Sequence, residues 1–147
     1  MKSQLQKLDK WELLATEMFP ELTLYKGDFW DKQGIDGTLQ ELTVQLKHDK
    51  RIAASGNIYH EIYEKTDLND KQAWRKSPGI ATHYIFLTES DFAYYGFLVS
   101  INDLAEVEKG KTLTLIYPNH GAATSMGFLL PLKGIRNIEK VKSKHQI

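Results

Sequence analysis

GIDGTLQELTVQLKHD, which runs from Gly34 to Asp49, predicts a β-hairpin preceded by an aspartate. The second strand alternates an apolar face with a polar face, namely Leu42, Val44 and Leu46 on one side and Thr43, Gln45 and Lys47 on the other. A two-residue loop at 40–41 pairs Leu39 with Leu42, although this loop lacks the glycine or asparagine that such turns favour. Counting back from that pair places Asp36 opposite Gln45, and directly opposed residues have Cβ atoms about 4.5–5.5 Å apart. The register therefore predicts a carboxylate, an amide and an ammonium on one face.

The composition predicts one globular domain over 1–147, with its core at about 5–117. Lys and Arg number 19 and Asp and Glu number 19, so any case for nucleic-acid binding must rest on local charge. The chain has no cysteine, which excludes disulfides, thiolate zinc sites and cysteine nucleophiles and fits a cytoplasmic protein. No apolar run approaches the ~20 residues of a membrane span, and the Lys- and Gln-rich start does not resemble a signal peptide.

Residues 3–18 predict an amphipathic helix that ends before Pro20. Glu12 falls inside the apolar arc of this helix, where a solvated carboxylate is unexpected. Two interpretations stay open. The side chain either bends out to water from the edge of the arc or is aimed at the cluster around Asp36.

The rest of the chain predicts an α+β fold in which the N-terminal helix packs on a mostly antiparallel or mixed sheet. Further strands are predicted at 22–25, 57–64, 84–88, 92–100, 113–117 and 128–132, with a short helix at 102–109. Loops are predicted at 27–36 and 118–127, and 66–76 is either a loop or a short helix around Trp74. The basic segment 133–147 is expected to be a frayed tail.

Asp36, Gln45 and Lys47 suggest metal-dependent hydrolysis. Mg²⁺ takes oxygen ligands, binds one or two carboxylates and keeps several waters. A lysine beside the metal can position the attacking water and stabilise charge on a phosphate. The alternative is an ordinary solvated strand face, because Asp before Gly and an alternating Gln and Lys also occur by chance.

Glu12 on the first helix, Asp36 after a Gly-rich loop and Gln45-x-Lys47 on the next strand together resemble the PD-(D/E)xK nuclease superfamily. The spacing from Glu12 to Asp36 is similar to that in Holliday-junction resolvases. The segments Ser55–Glu64 and Ser77–Thr88 resemble small phage-encoded nuclease-like proteins. The resemblance covers residues 5–105 and implies a restriction-endonuclease-like αβββαβ core. Gln45 stands where the family has a second acid, so another acid has to complete a metal site.

The resemblance implies a Mg²⁺-dependent endonuclease acting on DNA, with Mn²⁺ as a substitute metal. Asp36, Glu12 and Gln45 would hold the metal. Lys47 would position the attacking water, and Glu61 would be an additional acid. Candidate DNA contacts are Lys50, Arg51, Arg75, Lys76 and His83. A homodimer would have two such sites, one for each strand of the DNA.

Two other hypotheses are compatible with the sequence. The first is a catalytically inactive domain of the same fold that binds nucleic acid or a protein partner, which Gln45 and the neutral charge favour. The second is a structural or regulatory protein of unrelated α+β fold, in which Asp36, Gln45 and Lys47 do not share a face. Neither zinc nor a nucleotide cofactor is expected, because the histidines lack zinc spacing and no Gly-rich phosphate loop follows a strand. His60 is expected to be half-buried, and His48 to point away from Lys47.

Overall fold

The computed structural model describes residues 8–67, 69, 72–76, 79–117 and 123–147. Within these ranges the chain is mixed α+β, as the sequence predicts. The helices are α1 Lys10–Met18, α2 Asp28–Gln33, α3 Ile52–Ser55 and α4 Ile101–Glu108, with a 3₁₀ turn at Leu132–Gly134. The strands are β1 Leu22–Leu24, β2 Gly37–Leu39, β3 Leu42–His48, β4 Asn57–Lys65, β5 Trp74–Lys76, β6 His83–Glu89, β7 Ala93–Ser100, β8 Thr114–Ile116, β9 Ser125–Pro131 and β10 Glu139–Gln146.

The strands form two sheets. The larger sheet has the order β1-β2-β3-β6-β7-β10, and the smaller sheet has the order β5-β4-β9-β8. Neighbouring strands are antiparallel except for β3 and β6, which run parallel. The predicted hairpin β2–β3 therefore lies inside the larger sheet. Its strand β3 forms, with β6, the one parallel pair among the described strands.

Each face of the larger sheet buries its own apolar core. The helix-side core lies under α1 and includes Leu14, Ala15, Val44, Ile85 and Leu87. The inter-sheet core lies between the two sheets and includes Ile58, Phe86, Val99, Leu104 and Leu130. Consecutive residues of β6 alternate between the two cores because side chains of a strand point to opposite faces. The apolar face of β3 therefore packs toward α1, whereas Gln45 and Lys47 line cavities between β3 and β4.

The central hairpin has the predicted register. Leu39 pairs with Leu42 and Gly37 pairs with Val44, so residues 40 and 41 form the two-residue loop. Gln40 takes the place of the expected glycine at a φ of +55°. An L-residue in the left-handed region costs roughly 1–2 kcal/mol, so the favourable pairing of the strands must offset this cost. The apolar side of β3 packs in or against the helix-side core, as predicted.

Helix α1 begins at Lys10 because Asp9 caps it, and residues 3–7 of the predicted helix lie outside the described part of the chain. The Asp9 carboxylate accepts the Glu12 N–H at 2.8 Å, and the Glu12 carboxylate accepts the Asp9 N–H at 3.1 Å. This reciprocal capping box satisfies two N–H groups that the helix itself cannot. Glu12 therefore has a backbone role that fixes its side chain at the helix start.

Three predictions about irregular segments are wrong. Residues 28–33 of the predicted loop form α2, which Gly27 and Gly34 bracket as caps, with Gly34 at a φ of +66°. Trp74–Lys76 is a strand paired with Tyr63–Lys65 and is too short to show a periodic pattern. The predicted tail holds β10, an edge strand of the larger sheet, whose outward lysines are typical of a protected edge.

Both sheets extend beyond the predicted core. Strands β9 and β10 follow residue 117 in sequence, yet β9 pairs along most of β4 and β10 pairs with β7. The Glu17 carboxylate of α1 accepts hydrogen bonds from the Ser143 hydroxyl at 2.6 Å and the Lys144 N–H at 2.8 Å. The predicted loop at 118–127 lies partly outside the described residues, and its residues 125–127 belong to β9.

Candidate active site

Asp36 lies at the open edge of β3. Because β2 stops pairing at Gly37–Val44, the next part of β3 has no partner strand on this side. The Asp36 carboxylate takes that place, since its Oδ2 accepts the Leu46 N–H at 2.7 Å. A carboxylate thus satisfies a backbone donor that a longer β2 would have bound.

The Asp36 carboxyl lies in a cleft with a second acid. We call this the acidic cleft, and its lining includes Trp11, Glu12, Lys26, Asp36, Lys47 and His48. Burial raises the pKa of Asp36 above its ordinary value, and the negative charge of Glu12 acts in the same direction. The Leu46 N–H and the Lys47 charge oppose that rise. Ionising Asp36 in this cleft therefore costs more free energy than ionising a free aspartate in water.

Glu12 points into the acidic cleft rather than into bulk water. Its side chain is 15% exposed and its Oε2 lies 2.5 Å from the Lys26 ammonium. This hydrogen bond raises the pKa of Lys26. The Glu12 Oε1 accepts the Asp9 N–H and its Oε2 pairs with Lys26, so neither interpretation of Glu12 describes its contacts in full, although it shares this cleft with Asp36. Glu12, Lys26 and Asp36 together leave one net negative charge.

Lys47 lies where two clefts meet. It lines the acidic cleft, and it also lines a second cleft between the sheets that includes Lys50, Arg51, Tyr59, His60, Glu61 and Tyr84. We call the second one the inter-sheet cleft. The Lys47 ammonium lies 5.7 Å from the centroid of the Tyr84 ring, a cation–π contact. His48 points to the other face of β3, as predicted, and stacks on Trp11 at 3.8 Å between ring centroids.

The carboxylates of the inter-sheet cleft have hydrogen-bond partners. Ser125 donates to Glu61 Oε2 at 2.6 Å, and the Tyr59 hydroxyl lies 2.6 Å from the same Ser125 hydroxyl. Glu108 is joined to Nδ1 of His60, whose Nε2 lies 3.3 Å from the Tyr84 hydroxyl. Burial, with Glu108 and Glu61 nearby, raises the pKa of Tyr84, so this phenol stays protonated at neutral pH.

Sequence reasoning missed Glu108 and Ser125. Glu108 is 48 residues from His60, and Ser125 is 64 residues from Glu61, so no local spacing connects them. His60 was expected to be half-buried, but it is buried at 7% exposure because both ring nitrogens have partners. The only signal in the sequence was that His60 alternates with apolar residues on β4. This pattern does not identify the hydrogen-bond partners of His60.

Gln45 does not line the acidic cleft. Its side chain lies in a third cavity, together with Glu61, Lys76 and Gly79. An added Cβ at Gly79 would make only ordinary van der Waals contact with the Gln45 Oε1, at 3.6 Å, so the φ of +147° rather than space favours glycine there. The predicted pairing of Asp36 with Gln45 is not found, because the described register of β2 and β3 ends at Gly37–Val44. The Asp36 N–H donates to the Val44 carbonyl at 2.9 Å, and the Asp36 side chain turns along the sheet edge to accept the Leu46 N–H.

The predicted DNA contacts fall into two groups. Lys50 and Arg51 line the inter-sheet cleft, where the Arg51 Nε lies 3.4 Å from Asp49 Oδ1. The other three lie away from the acidic cleft. Arg75 pairs with Glu64 at 3.5 Å, Lys76 lines the Gln45 cavity, and His83 lies 2.8 Å from the Thr82 hydroxyl. Burial lowers the pKa of His83, which disfavours the charged form that would bind a phosphate.

The acidic cleft is lined by three acids, namely Asp9, which caps α1, Glu12 and Asp36, and the charge of Glu12 contributes to the raised pKa of the half-buried Asp36. No group of three or more His, Cys, Asp or Glu side chains with metal-binding geometry occurs among the described residues. No helix in the same part of the chain is long and apolar enough to span a membrane. No family model, curated protein or solved structure matches this chain.

Proposed function

We propose that this chain is a Mg²⁺-dependent nuclease that hydrolyses phosphodiester bonds in DNA. The observation that carries the proposal is the convergence of Glu12, Asp36 and Lys47 on one cleft. Glu12 comes from a helix that precedes the hairpin in sequence, whereas Asp36 and Lys47 belong to the hairpin and the residue before it. A restriction-endonuclease-like core is part of the proposal, supported by α1 packed on a sheet in which the β2–β3 hairpin precedes a parallel strand.

The donor set of the acidic cleft fits a hard divalent cation. Mg²⁺ commonly uses one or two protein carboxylates and keeps several waters, and Mn²⁺ accepts the same oxygen ligands. Asp36 and Glu12 supply two carboxylates, and the charge of Glu12 raises the pKa of Asp36. A cation between them relieves this repulsion. Gln45 is not needed for this donor set, and Glu61 belongs to a different network.

In this proposal, each residue of the site has its own role. The Leu46 N–H fixes one oxygen of Asp36, and the capping box fixes Glu12 at the start of α1. Lys47 forms no ion pair with the described residues, so its ammonium is available to stabilise charge that develops on the phosphate. When bound, Mg²⁺ lowers the pKa of a ligated water and polarises the phosphate.

The test is nicking and linearisation of supercoiled plasmid with Mg²⁺ or Mn²⁺. Removing a charge that stabilises the transition state costs about 10²–10³ in rate, so Lys47→Ala is expected to lose at least about 100-fold. Lys142→Ala is the matched control, because Lys142 is an exposed lysine on β10 at the far edge of the larger sheet. Equal cleavage by wild type and Lys47→Ala would refute the proposal.

A second candidate is a nuclease-fold domain that binds DNA without cutting it. Two observations favour it: Gln45 lies in a different cavity from Asp36, and Glu12 already has Lys26 as its partner. This candidate predicts no metal-dependent cleavage of plasmid, single-stranded or branched DNA by the wild-type chain. It predicts instead a DNA affinity that neither Mg²⁺ nor Asp36→Asn changes by more than about twofold, since no metal mediates the contact.

A further inference from the structure

The inter-sheet cleft adjoins the acidic cleft, because Lys47 and His48 line both. A strand that passes Lys47 would therefore contact both clefts. The floor of the inter-sheet cleft comes from β6 and its wall from β4. It has a volume of about 500 Å³, within the ~300–1,000 Å³ of sites that hold small molecules.

The inter-sheet cleft carries a net positive charge, because its lining has three cations, Lys47, Lys50 and Arg51, and two acids, Asp49 and Glu61. Asp49 pairs with Arg51, and Glu61 accepts a hydrogen bond from the neutral Ser125 hydroxyl. Lys47 and Lys50 take part in no ion pair within the described part of the chain. The cleft therefore offers two ammonium groups to an anion, and one of them also faces the acidic cleft.

The same cleft presents aromatic surface. Tyr59 and Tyr84 are half-buried in its lining, and Phe86 lies behind them in the core. Cations beside aromatic rings are the combination that binds single-stranded nucleic acid, because the phosphates meet the charges and the bases stack on the rings. Bases inside a duplex are stacked on one another and cannot reach rings at the bottom of a cleft.

We infer that the inter-sheet cleft binds one nucleotide of an unpaired DNA strand, adjacent to the phosphate at the acidic cleft. This inference rests on the proposed function and adds its substrate class, which is DNA with a single-stranded segment. Lys50 contacts a phosphate of that strand, and Tyr59 and Tyr84 face its base. The inference differs from the proposed function because it concerns binding and does not need cleavage.

The experiment measures binding by fluorescence anisotropy without metal, in an Asp36→Asn background that cannot cleave. The probes are labelled oligothymidylate of about 12 nucleotides, within the ~4–16 nucleotides of known single-strand sites, and a blunt duplex of the same length. We expect the single strand to bind at least about fivefold more tightly, the smallest effect expected from stacking one base. Adding Lys50→Ala should lower the slope of log affinity against log salt by about 0.7, the share of one phosphate on a single strand.

Lys142→Ala in the same background is the control, and its salt slope should match that of the parent. Equal affinity for single strand and duplex would overturn the inference, and so would equal salt slopes for Lys50→Ala and Lys142→Ala. Lys50 is exposed and its side chain makes no ion pair with the described residues, so its replacement is not expected to disturb folding.

Plasmid cleavage by wild type together with a preference for duplex in the binding assay would refute the inference but not the proposed nuclease activity. Single-strand binding without cleavage by wild type would refute the nuclease alone.

Discussion

The acidic cleft and the inter-sheet cleft share Lys47 but treat their carboxylates in opposite ways. In the acidic cleft, Asp36 is half-buried, and burial together with the charge of Glu12 raises its pKa. In the inter-sheet cleft, Glu61 accepts a hydrogen bond from Ser125, and Asp49 pairs with Arg51. One cleft therefore raises the pKa of an acid, whereas the other gives its acids partners and leaves Lys47 and Lys50 without an ion pair among the described residues.

This difference separates residues that serve chemistry from residues that serve the fold. Burial and the charge of Glu12 make the ionised form of Asp36 unfavourable, which does not stabilise the fold, so this carboxyl is a candidate for cation binding. A buried histidine between a carboxylate and a phenol is explained by hydrogen bonding alone. Mutations should therefore affect activity at the acidic cleft and stability at the inter-sheet acids.

The largest expected effect is on cleavage by Asp36→Asn. The substitution keeps the shape and an oxygen that can accept the Leu46 N–H, but it removes the charge that would hold a metal. We expect the Mg²⁺-dependent nicking rate to fall at least about 100-fold, the size of effect seen when a key electrostatic contact at an active site is lost. The rate of plasmid nicking measures it.

Glu106→Gln is the matched control for Asp36→Asn. Glu106 is an exposed acid on α4 whose partner is Lys109, away from both clefts. Its activity should stay within about twofold of wild type, because an exposed ion pair contributes little to the fold. If Asp36→Asn and Glu106→Gln nick plasmid equally, the acidic cleft is not where chemistry occurs.

Local features of the candidate site could be predicted from the sequence. The alternation on β3 and the two-residue loop fixed the register, so the positions of Asp36 and Lys47 near one edge follow from the hairpin alone. The direction of the Asp36 side chain did not follow. At the end of a strand, a free backbone N–H competes for a carboxylate, and the alternation of side chains no longer determines where that carboxylate points.

Long-range partners could not be predicted. Glu108 and Ser125 meet β4 only because α4 and β9 pack against it, and such contacts depend on tertiary structure. The cavity that holds Gln45 could not be predicted for a related reason. The strand face of Gln45 was predicted correctly, but Glu61 and Gly79, which line the cavity on that face, come from distant parts of the sequence. The error about β10 came from reading an edge strand's lysines as a solvated tail.

A smaller effect is expected on stability, and it compares an acid of the acidic cleft with the acid that pairs with His60, a lining residue of the inter-sheet cleft. Glu108→Gln removes the carboxylate partner of buried His60 and should destabilise the fold by roughly 1–3 kcal/mol. Glu12→Gln keeps the capping box, since glutamine also serves at that position, and relieves repulsion with Asp36. We expect its effect to stay within about 0.5 kcal/mol. Urea denaturation at neutral pH measures both, and an equal loss in the two variants would contradict the distinction between the clefts.

The smallest expected effect is a gain in stability from Asp36→Asn. The folded state raises the pKa of this carboxyl above its ordinary value of 3.8, so it binds the proton more tightly than the unfolded chain does. Stability from this group is therefore greatest at low pH and falls as pH rises through the raised pKa. The asparagine variant lacks that loss and should be more stable than wild type at neutral pH, by less than about 1 kcal/mol because solvent still reaches the carboxylate.

The measurement is a set of urea denaturation curves for both proteins, from below pH 3.8 to neutral pH. The difference in unfolding free energy should grow in favour of Asp36→Asn as pH rises. Asp91→Asn, which replaces an exposed carboxyl in the β6–β7 turn, corrects for the general effect of removing one negative charge. A variant that loses cleavage and gains stability would identify Asp36 as a residue retained for chemistry. An asparagine variant less stable than wild type at neutral pH would instead make Asp36 a structural cap for β3, because its charge would then strengthen the hydrogen bond to Leu46 more than burial and Glu12 oppose it.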